Sequence, residues 1–114
     1  MKIATGNAFD DGDEHRGWLV GNSIEPGGVL HSDDVEIKWG RHRAGEERAE
    51  WTTRESRTSF MVLISGHFVQ RLPDREVELS RPGDYVSWGP GVLHAWRALT
   101  DSVLVTVRWP SVAE

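Results

Sequence analysis

Two histidines lie where an imidazole could transfer a proton. His94 follows the turn Gly89-Pro90-Gly91, and His42 ends an alternating segment that begins at Val35. An imidazole titrates near neutral pH, so either side chain could act as a general acid or base. We therefore take His94 and His42 as candidate catalytic residues.

The segment that ends at His42 has one polar face. Glu36, Lys38 and His42 share one parity, and apolar Ile37 and Trp39 share the other. The polar face is either solvated or lines an interior. If it lines an interior, Glu36 and Lys38 form a partly buried ion pair beside His42. Burial and neighbouring charges would shift their pKa values, which makes Glu36 and Lys38 further catalytic candidates.

Alternation with a period of two recurs along the chain and predicts β-strands with little helix. The predicted strands are 35–42, 60–65, 67–72, 77–79, 85–88, 94–99 and 103–109. Turns rich in Pro and Gly separate them, and short strands at this spacing imply a sandwich or barrel. Residues 10–16 are mostly acidic and predict a mobile loop.

Composition limits the classes of function. The chain has 114 residues, which suits one domain, and it has no Cys, so any metal would use His, Asp or Glu. The net charge of -5 argues against non-specific binding to nucleic acid. The longest apolar run, Phe60 to Ile64, is far shorter than the ~20 residues that span a bilayer. We therefore expect a cytoplasmic protein with no membrane partner.

The segment Gly83-Asp-Tyr-Val-Ser-Trp-Gly-Pro-Gly91-Val-Leu-His94 resembles the second conserved motif of the cupins. Gly83, Gly91 and His94 stand at motif positions. Gly89 and Ala98 stand where the family has Pro and Asn. Residues 60–66, Phe-Met-Val-Leu-Ile-Ser-Gly, resemble the end of the first cupin motif.

The resemblance covers residues 35–109. It implies an all-β, cupin-type jelly-roll barrel, also called a double-stranded β-helix, with little helix. On this interpretation residues 35–114 form the barrel, and residues 1–34 form an N-terminal segment with the acidic loop and the first strand or strands. We expect both parts to belong to one compact domain.

The first motif departs from the family at its metal ligands. Ser59 stands at the position of the family's metal-binding Glu, and residues 52–55 stand where a His-x-His pair is expected. Since three of the four usual ligands are missing there, we expect that the metal has been lost and that no cofactor is bound.

A different metal site stays open. His42 and His94, with Glu46 or Glu47, would form a two-His, one-carboxylate site suited to Fe, Mn, Ni or Zn. This alternative predicts a divalent transition metal as cofactor.

The resemblance also implies a pocket with aromatic walls. Trp96 shares a strand face with His94, and Trp88 closes the preceding strand. Arginines near the first motif could bind a carboxylate at the rim. The candidate ligand-binding residues are Trp88, Trp96, Trp51, Arg54 and Arg57.

Three functions remain open, because one fold hosts many chemistries. The first is a cyclase, isomerase, epimerase or lyase in which His94 or His42 moves a proton. The second is a non-catalytic sensor or carrier for a small anionic or aromatic ligand. The third is a metal-dependent oxygenase that uses His42 and His94. The large apolar side chains and open sheet edges also predict a homodimer.

Overall fold

Nine strands form two antiparallel sheets in the computed structural model, which describes residues 1–112 except for the side chain of Asp13. The order is β1-β2-β9-β4-β7 in the five-stranded sheet and β3-β8-β5-β6 in the four-stranded sheet. The prediction of an all-β jelly roll is confirmed. The strands are β1 (Trp18–Val20), β2 (Glu36–His42), β3 (Glu47–Arg48), β4 (Thr58–Ser65), β5 (Phe68–Leu72), β6 (Arg75–Leu79), β7 (Tyr85–Trp88), β8 (Ala95–Ala98) and β9 (Ser102–Trp109).

The strands with the clearest alternation form the centre of the five-stranded sheet. β9 pairs with β2 in a continuous register from Glu36 opposite Arg108 to His42 opposite Ser102. On its other side β9 pairs with β4. Successive side chains therefore point alternately into the space between the sheets and away from it.

The hydrophobic core lies between the two sheets. Leu63, Phe68, Leu79 and Leu104 are at most 1% exposed and pack in one cluster with Trp88. Phe68, Trp88 and Leu104 also line a cavity beside this core. The hydrophobic core therefore supports the walls of the cavity.

A glycine turn joins β4 to β5. Gly66 has φ +98°, and a Cβ there would collide with the carbonyl oxygen of Asp101 and with Ser102. Glycine is required at this position because it alone combines a positive φ with so close a backbone approach. The turn lies at the end of the segment that resembles the first cupin motif.

The N-terminal segment is more structured than its sequence suggests. A one-turn helix, α1 (Ala8–Asp11), and a 3₁₀ helix (Gly12–His15) precede β1, so the prediction of a loop is wrong for residues 10–15. The side chain of Asn7 caps α1 by accepting from the backbone N–H of Phe9 at 2.9 Å. Acidic side chains in the first turn of α1 also suit the positive end of the helix dipole.

Within residues 1–112, no helix is both long and apolar enough to cross a membrane. The cytoplasmic location stays a prediction.

Candidate functional site

A cavity of about 370 Å³ lies between the two sheets. The five-stranded sheet contributes residues from all of its strands, β1, β2, β4, β7 and β9, and the four-stranded sheet contributes residues from β3, β5 and β8. The irregular segment 52–57 completes the wall. The volume falls in the range of small-molecule sites.

His94 immediately precedes β8 and is held against the irregular segment by backbone hydrogen bonds. Its N–H donates to Thr52 Oγ1 at 3.1 Å, and the N–H of Thr52 donates to the His94 carbonyl at 3.0 Å. The N–H of Gly91 donates to the carbonyl of Glu55 at 2.8 Å. These bonds explain how a segment without strand periodicity presents the Glu55 side chain to His94.

The imidazole of His94 contacts Glu55 on one side and Gln70 on the other. His94 Nε2 lies 2.9 Å from Glu55 Oε1, and His94 Nδ1 lies 3.2 Å from Gln70 Nε2. Because the amide N–H of Gln70 can only donate, Nδ1 accepts, and the ring proton lies on Nε2 and is donated to Glu55. All three side chains line the cavity.

The pKa directions agree with this arrangement. Burial lowers the pKa of His94 and outweighs the hydrogen bond and negative charge of Glu55, which raise it. Burial raises the pKa of Glu55, but the hydrogen bond from His94 and the charge of Arg57 outweigh burial and lower it. At neutral pH a neutral imidazole therefore donates to an ionised carboxylate.

The side-chain amide of Gln70 can contact His94 in two orientations. It is 0% exposed, and its Oε1 has no hydrogen-bond partner within residues 1–112. If the amide turned over, Oε1 would accept from Nδ1–H of a protonated ring. Gln70 can therefore support His94 in both protonation states.

Two carboxylates and two guanidinium groups form a cluster beside His94. Glu36 Oε1 lies 3.1 Å from Arg57 Nη1 and 2.6 Å from Arg108 Nε. Glu55 Oε2 pairs with Arg57 Nη2 and lies 3.6 Å from Arg108 Nη1. Ser111 Oγ donates to Glu36 Oε2 at 3.0 Å. We call Glu36, Glu55, Arg57 and Arg108 the ion-pair cluster.

The ion-pair cluster determines what Glu36 can do. Glu36 is 6% exposed and does not line the cavity, whereas Arg57, Arg108 and Glu55 do. The carboxylate of Glu36 therefore holds the two guanidinium groups in place rather than meeting a ligand. The predicted ion pair between Glu36 and Lys38 is wrong, because Arg57 and Arg108 occupy the carboxylate instead.

Lys38 and His42 lie further along β2 and line the cavity with their side chains. Burial lowers the pKa of Lys38, and the positive charges of Arg108 and Arg16 lower it further. Burial also lowers the pKa of His42 and outweighs the hydrogen bond to Glu46, whose Oε2 lies 3.3 Å from His42 Nδ1. The polar face of β2 therefore lines the interior.

Aromatic rings form much of the remaining wall. The Trp88 ring lies 4.7 Å from the His94 ring, between centroids. The Trp96 ring lies 4.3 Å from that of His42 and 5.3 Å from that of Phe68. The structure thus brings His94, His42, Trp88 and Trp96 together around one cavity.

Four of the residues singled out from the sequence lie elsewhere. Trp51 is 43% exposed and packs its ring on the Arg71 guanidinium at 5.2 Å. Arg54 is exposed and donates to the Gly91 carbonyl at 3.5 Å. Neither lines the cavity, because Trp51 and Arg54 face outward from the irregular segment while Glu55 faces inward. Glu46 reaches only His42, and Glu47 is exposed on β3.

Sequence reasoning missed Glu55, Gln70 and Arg108 as site residues. Glu55 lies at the place where the family's His-x-His was expected, and this spacing was the available signal. Gln70 is a polar residue on the strand face that it shares with apolar Phe68 and Leu72. Arg108 interrupts the apolar end of β9, but only its register opposite Glu36 shows its role.

The residues of this cavity do not fit the metal that cupins commonly bind. Within residues 1–112, no three His, Asp or Glu side chains gather as a metal-binding group. The one His–carboxylate contact in the cavity wall uses Glu55, which Arg57 and Arg108 also hold. His42 and His94 therefore contact different carboxylates, and these two residues do not form one metal site with Glu46 or Glu47.

Comparison with protein-family models and with curated proteins finds no match. Solved structures do match. KdgF from Halomonas sp. is 24% identical with a TM-score of 0.65, over 88% of this chain and 92% of KdgF. A cupin superfamily protein from Desulfitobacterium hafniense is 19% identical with a TM-score of 0.59, over 68% and 69% of the two chains. The DMSP lyase DddQ from Ruegeria pomeroyi is 22% identical with a TM-score of 0.63, over 80% of this chain and 45% of the lyase. At these identities the likeness shows the fold alone.

Proposed function

We propose that this chain, a small domain with the cupin fold, binds a small organic molecule in its barrel and moves a proton to or from it. The observation that supports this proposal is the contact of 2.9 Å between His94 Nε2 and Glu55 Oε1 in the wall of the cavity. Fold likeness contributes only the location of the pocket, because function resides in the site.

The proposed chemistry uses the proton shared by His94 and Glu55. In the resting state this proton lies on Nε2 and is donated to the carboxylate. A ligand atom that enters this contact gives its proton to the ionised Glu55 carboxylate, and the neutral Nε2–H donates a hydrogen bond to the negative charge that develops on the ligand; Glu55 then returns the proton to another ligand atom. Gln70 holds Nδ1 throughout, so the imidazole keeps its orientation.

Isomerases, epimerases, lyases and cyclases all rely on such a proton transfer at a carbon or oxygen atom. The lyase among the structural neighbours shows that the same fold hosts a reaction of this kind in another protein. A neutral imidazole beside an ionised carboxylate can take a proton from a ligand and return it, which suits this class better than a class that needs a redox centre.

The test measures exchange of ligand protons for deuterium. Wild-type protein in D₂O is mixed with a panel of small 2-oxo and hydroxy acids, sugars and aromatic metabolites, and proton NMR records lost or shifted signals. We expect conversion or exchange with at least one compound, and a loss of about 100-fold or more in His94→Gln. The matched control is His67→Gln, because His67 Nε2 lies 3.6 Å from Glu78 outside the cavity. Equal rates in the two variants would contradict the proposal.

A second candidate function is binding without catalysis. It is favoured by the ion pairs of Glu55 with Arg57 and Arg108, which suit a rigid carboxylate as well as a reactive one. Ligands that raise the melting temperature without exchange or conversion would support this candidate, since binding to the folded state stabilises it by mass action.

We further propose that two copies associate through the outer face of the five-stranded sheet. Tyr85, Trp109 and Ile64 are 65%, 43% and 41% exposed on that face. Large apolar side chains exposed on one face favour an interaction site there.

A further inference from the structure

The charges around the cavity do not balance, and the imbalance lies in Lys38 and Arg48. The four cations in its wall are Lys38, Arg48, Arg57 and Arg108, and the only carboxylate there among the described residues is Glu55. Glu36 lies buried behind them. Arg57 and Arg108 are matched by Glu36 and Glu55 within the ion-pair cluster. Among the side chains that the structure describes, which exclude that of Asp13, no carboxylate pairs with Lys38 or Arg48.

Lys38 is the more unusual of the two unmatched cations. Arg48 is exposed, as unpaired arginines commonly are, but Lys38 is half-buried on the strand next to β9. Its Nζ lies 5.6 Å from the centroid of the Trp18 ring, and the guanidinium of Arg108 lies 4.2 Å from the same centroid. Two cations therefore share one aromatic ring with no anion between them.

This arrangement is costly without a ligand. Partial burial and the positive charges of Arg108 and Arg16 lower the pKa of Lys38, so its ammonium form is less favoured there than in water. Lysine side chains that leave water without a paired anion are rare in proteins. An anion seated beside Nζ would remove both effects at once.

We propose that the ligand of this cavity is a small organic acid and that Lys38 binds its carboxylate. The inference rests on the proposed function, since it concerns the same cavity. The rest of the acid would lie against Trp88 and Trp96, with its reacting atom toward His94. Arg48 would add a second cation on the opposite sheet. A carboxylate fits better than a phosphate, because Glu36 and Glu55 already pair with the two inner arginines, and of the two remaining cations only Lys38 is half-buried while Arg48 is exposed.

The test compares acids with their neutral amides. Benzoate with benzamide, lactate with lactamide, and pyruvate with pyruvamide differ in charge and little in shape. Phenyl phosphate serves as the alternative anion. Tryptophan fluorescence is a suitable readout because Trp18, Trp88 and Trp96 line the cavity. We expect at least one acid to bind about 10- to 100-fold more tightly than its amide, as a charge-assisted hydrogen bond implies.

Substitutions of Lys38 test whether this residue causes the preference for acids over amides. Lys38→Met should remove the preference for the acid and leave the affinity for the amide unchanged, while Lys38→Arg should retain it. The matched control is Lys2→Met, because Lys2 is the only other lysine and donates to the Gly27 carbonyl outside the cavity. Lys38→Gln serves as a second neutral variant should Lys38→Met fold poorly.

Each outcome decides the matter. Acids and amides of equal affinity, a preference that survives in Lys38→Met, binding of phenyl phosphate alone, or no binding of any acid would overturn the proposal. Repeating the titration in His94→Gln separates it from the proposed function. A preserved preference for acids in that variant supports anion binding whatever the result of the deuterium test. If amides bind as well as acids in wild type, only the inference about Lys38 fails.

Discussion

Two regions of the five-stranded sheet differ: β4, β7 and the middle of β9 turn the apolar core residues Leu63, Trp88 and Leu104 inward, whereas β2 and the end of β9 reverse the usual rule for a β-sandwich. The inner faces of β2 and β9 present Glu36, Lys38 and Arg108 to the interior. The outer faces present apolar side chains, among them Ile37 and Val107. A sheet normally turns its apolar side inward. The reversal gives the interior near β2 a polar site, and it leaves on the outer face the apolar side chains on which the proposed dimer rests.

The ion-pair cluster accounts for how the inner face remains stable. Each carboxylate of the cluster pairs with guanidinium groups from two different strands or segments, so every charge within the cluster has a partner of opposite sign. Such an arrangement specifies a geometry more than it adds stability. Removing one side chain of the ion-pair cluster should therefore lower the free energy of unfolding far more than any substitution at the surface.

The largest expected effect comes from removing one carboxylate of the ion-pair cluster on the inner face. Glu36→Ala leaves Arg57 and Arg108 without their shared carboxylate, and we expect the free energy of unfolding to fall by about 3–5 kcal/mol. Urea denaturation measures this change. The matched control is Asp74→Ala, an exposed carboxylate paired with Arg75, for which no measurable loss is expected. Similar losses in the two variants would mean that the inner face does not depend on its ion pairs.

The next effect concerns the outer face. Tyr85→Glu places a charge next to Phe60, whose ring stacks on Tyr85 with 5.2 Å between centroids. We expect the dimer to dissociate at least about 10-fold more readily, with the stability of each copy changed by less than about 0.5 kcal/mol. Light scattering after size-exclusion chromatography measures the mass. Leu99→Glu, another exposed apolar residue, is the control. A wild-type protein of monomeric mass would refute the proposed dimer.

The smallest expected effect is the pH dependence of stability that arises from titratable side chains in the cavity. Burial lowers the pKa of His94 and of His42 below the ordinary value of 6.5. The unfolded chain therefore binds protons first as the pH falls, so stability present above about pH 6.5 is lost as the pH falls through the lower folded pKa values. The lowered pKa of Glu55 adds a further loss below its ordinary value of 4.5.

Melting temperatures between about pH 8 and pH 4 check this sign. His94→Gln should flatten the profile below about pH 6.5, and His67→Gln, which lies outside the cavity, should not. A wild-type profile that rises as the pH falls through this range would show that His94 is stabilised in its charged form, against the direction argued here.

The strands could largely be predicted from the sequence, because alternation is a local property. β2, β4, β7 and β9 lie within two residues of their predicted bounds. β3 was missed, since Glu47 and Arg48 are both polar and form a strand only by pairing with β8. The helix and 3₁₀ helix over residues 8–15 were missed because Asn7 supplies a cap within a segment too short for a periodic signal.

The site was predictable only in part. His94 could be found because its motif lies within twelve consecutive residues, and Trp96 because it shares the parity of His94. Glu55 could not be assigned to His94, because the two are joined by hydrogen bonds between residues about forty positions apart. Trp51 was assigned to the rim by proximity in sequence, although the irregular segment turns its side chain outward.

The amino-acid sequence by itself determined where the strands run and that His94 follows a glycine turn, since both depend on neighbouring residues. It also determined that β2 has one polar face. The tertiary structure alone decided that this face points inward, because a period of two is the same whichever side is buried. Pairing between strands far apart in sequence placed the guanidinium groups of Arg57 and Arg108 beside Glu36, and it left Lys38 with no carboxylate partner among the described side chains.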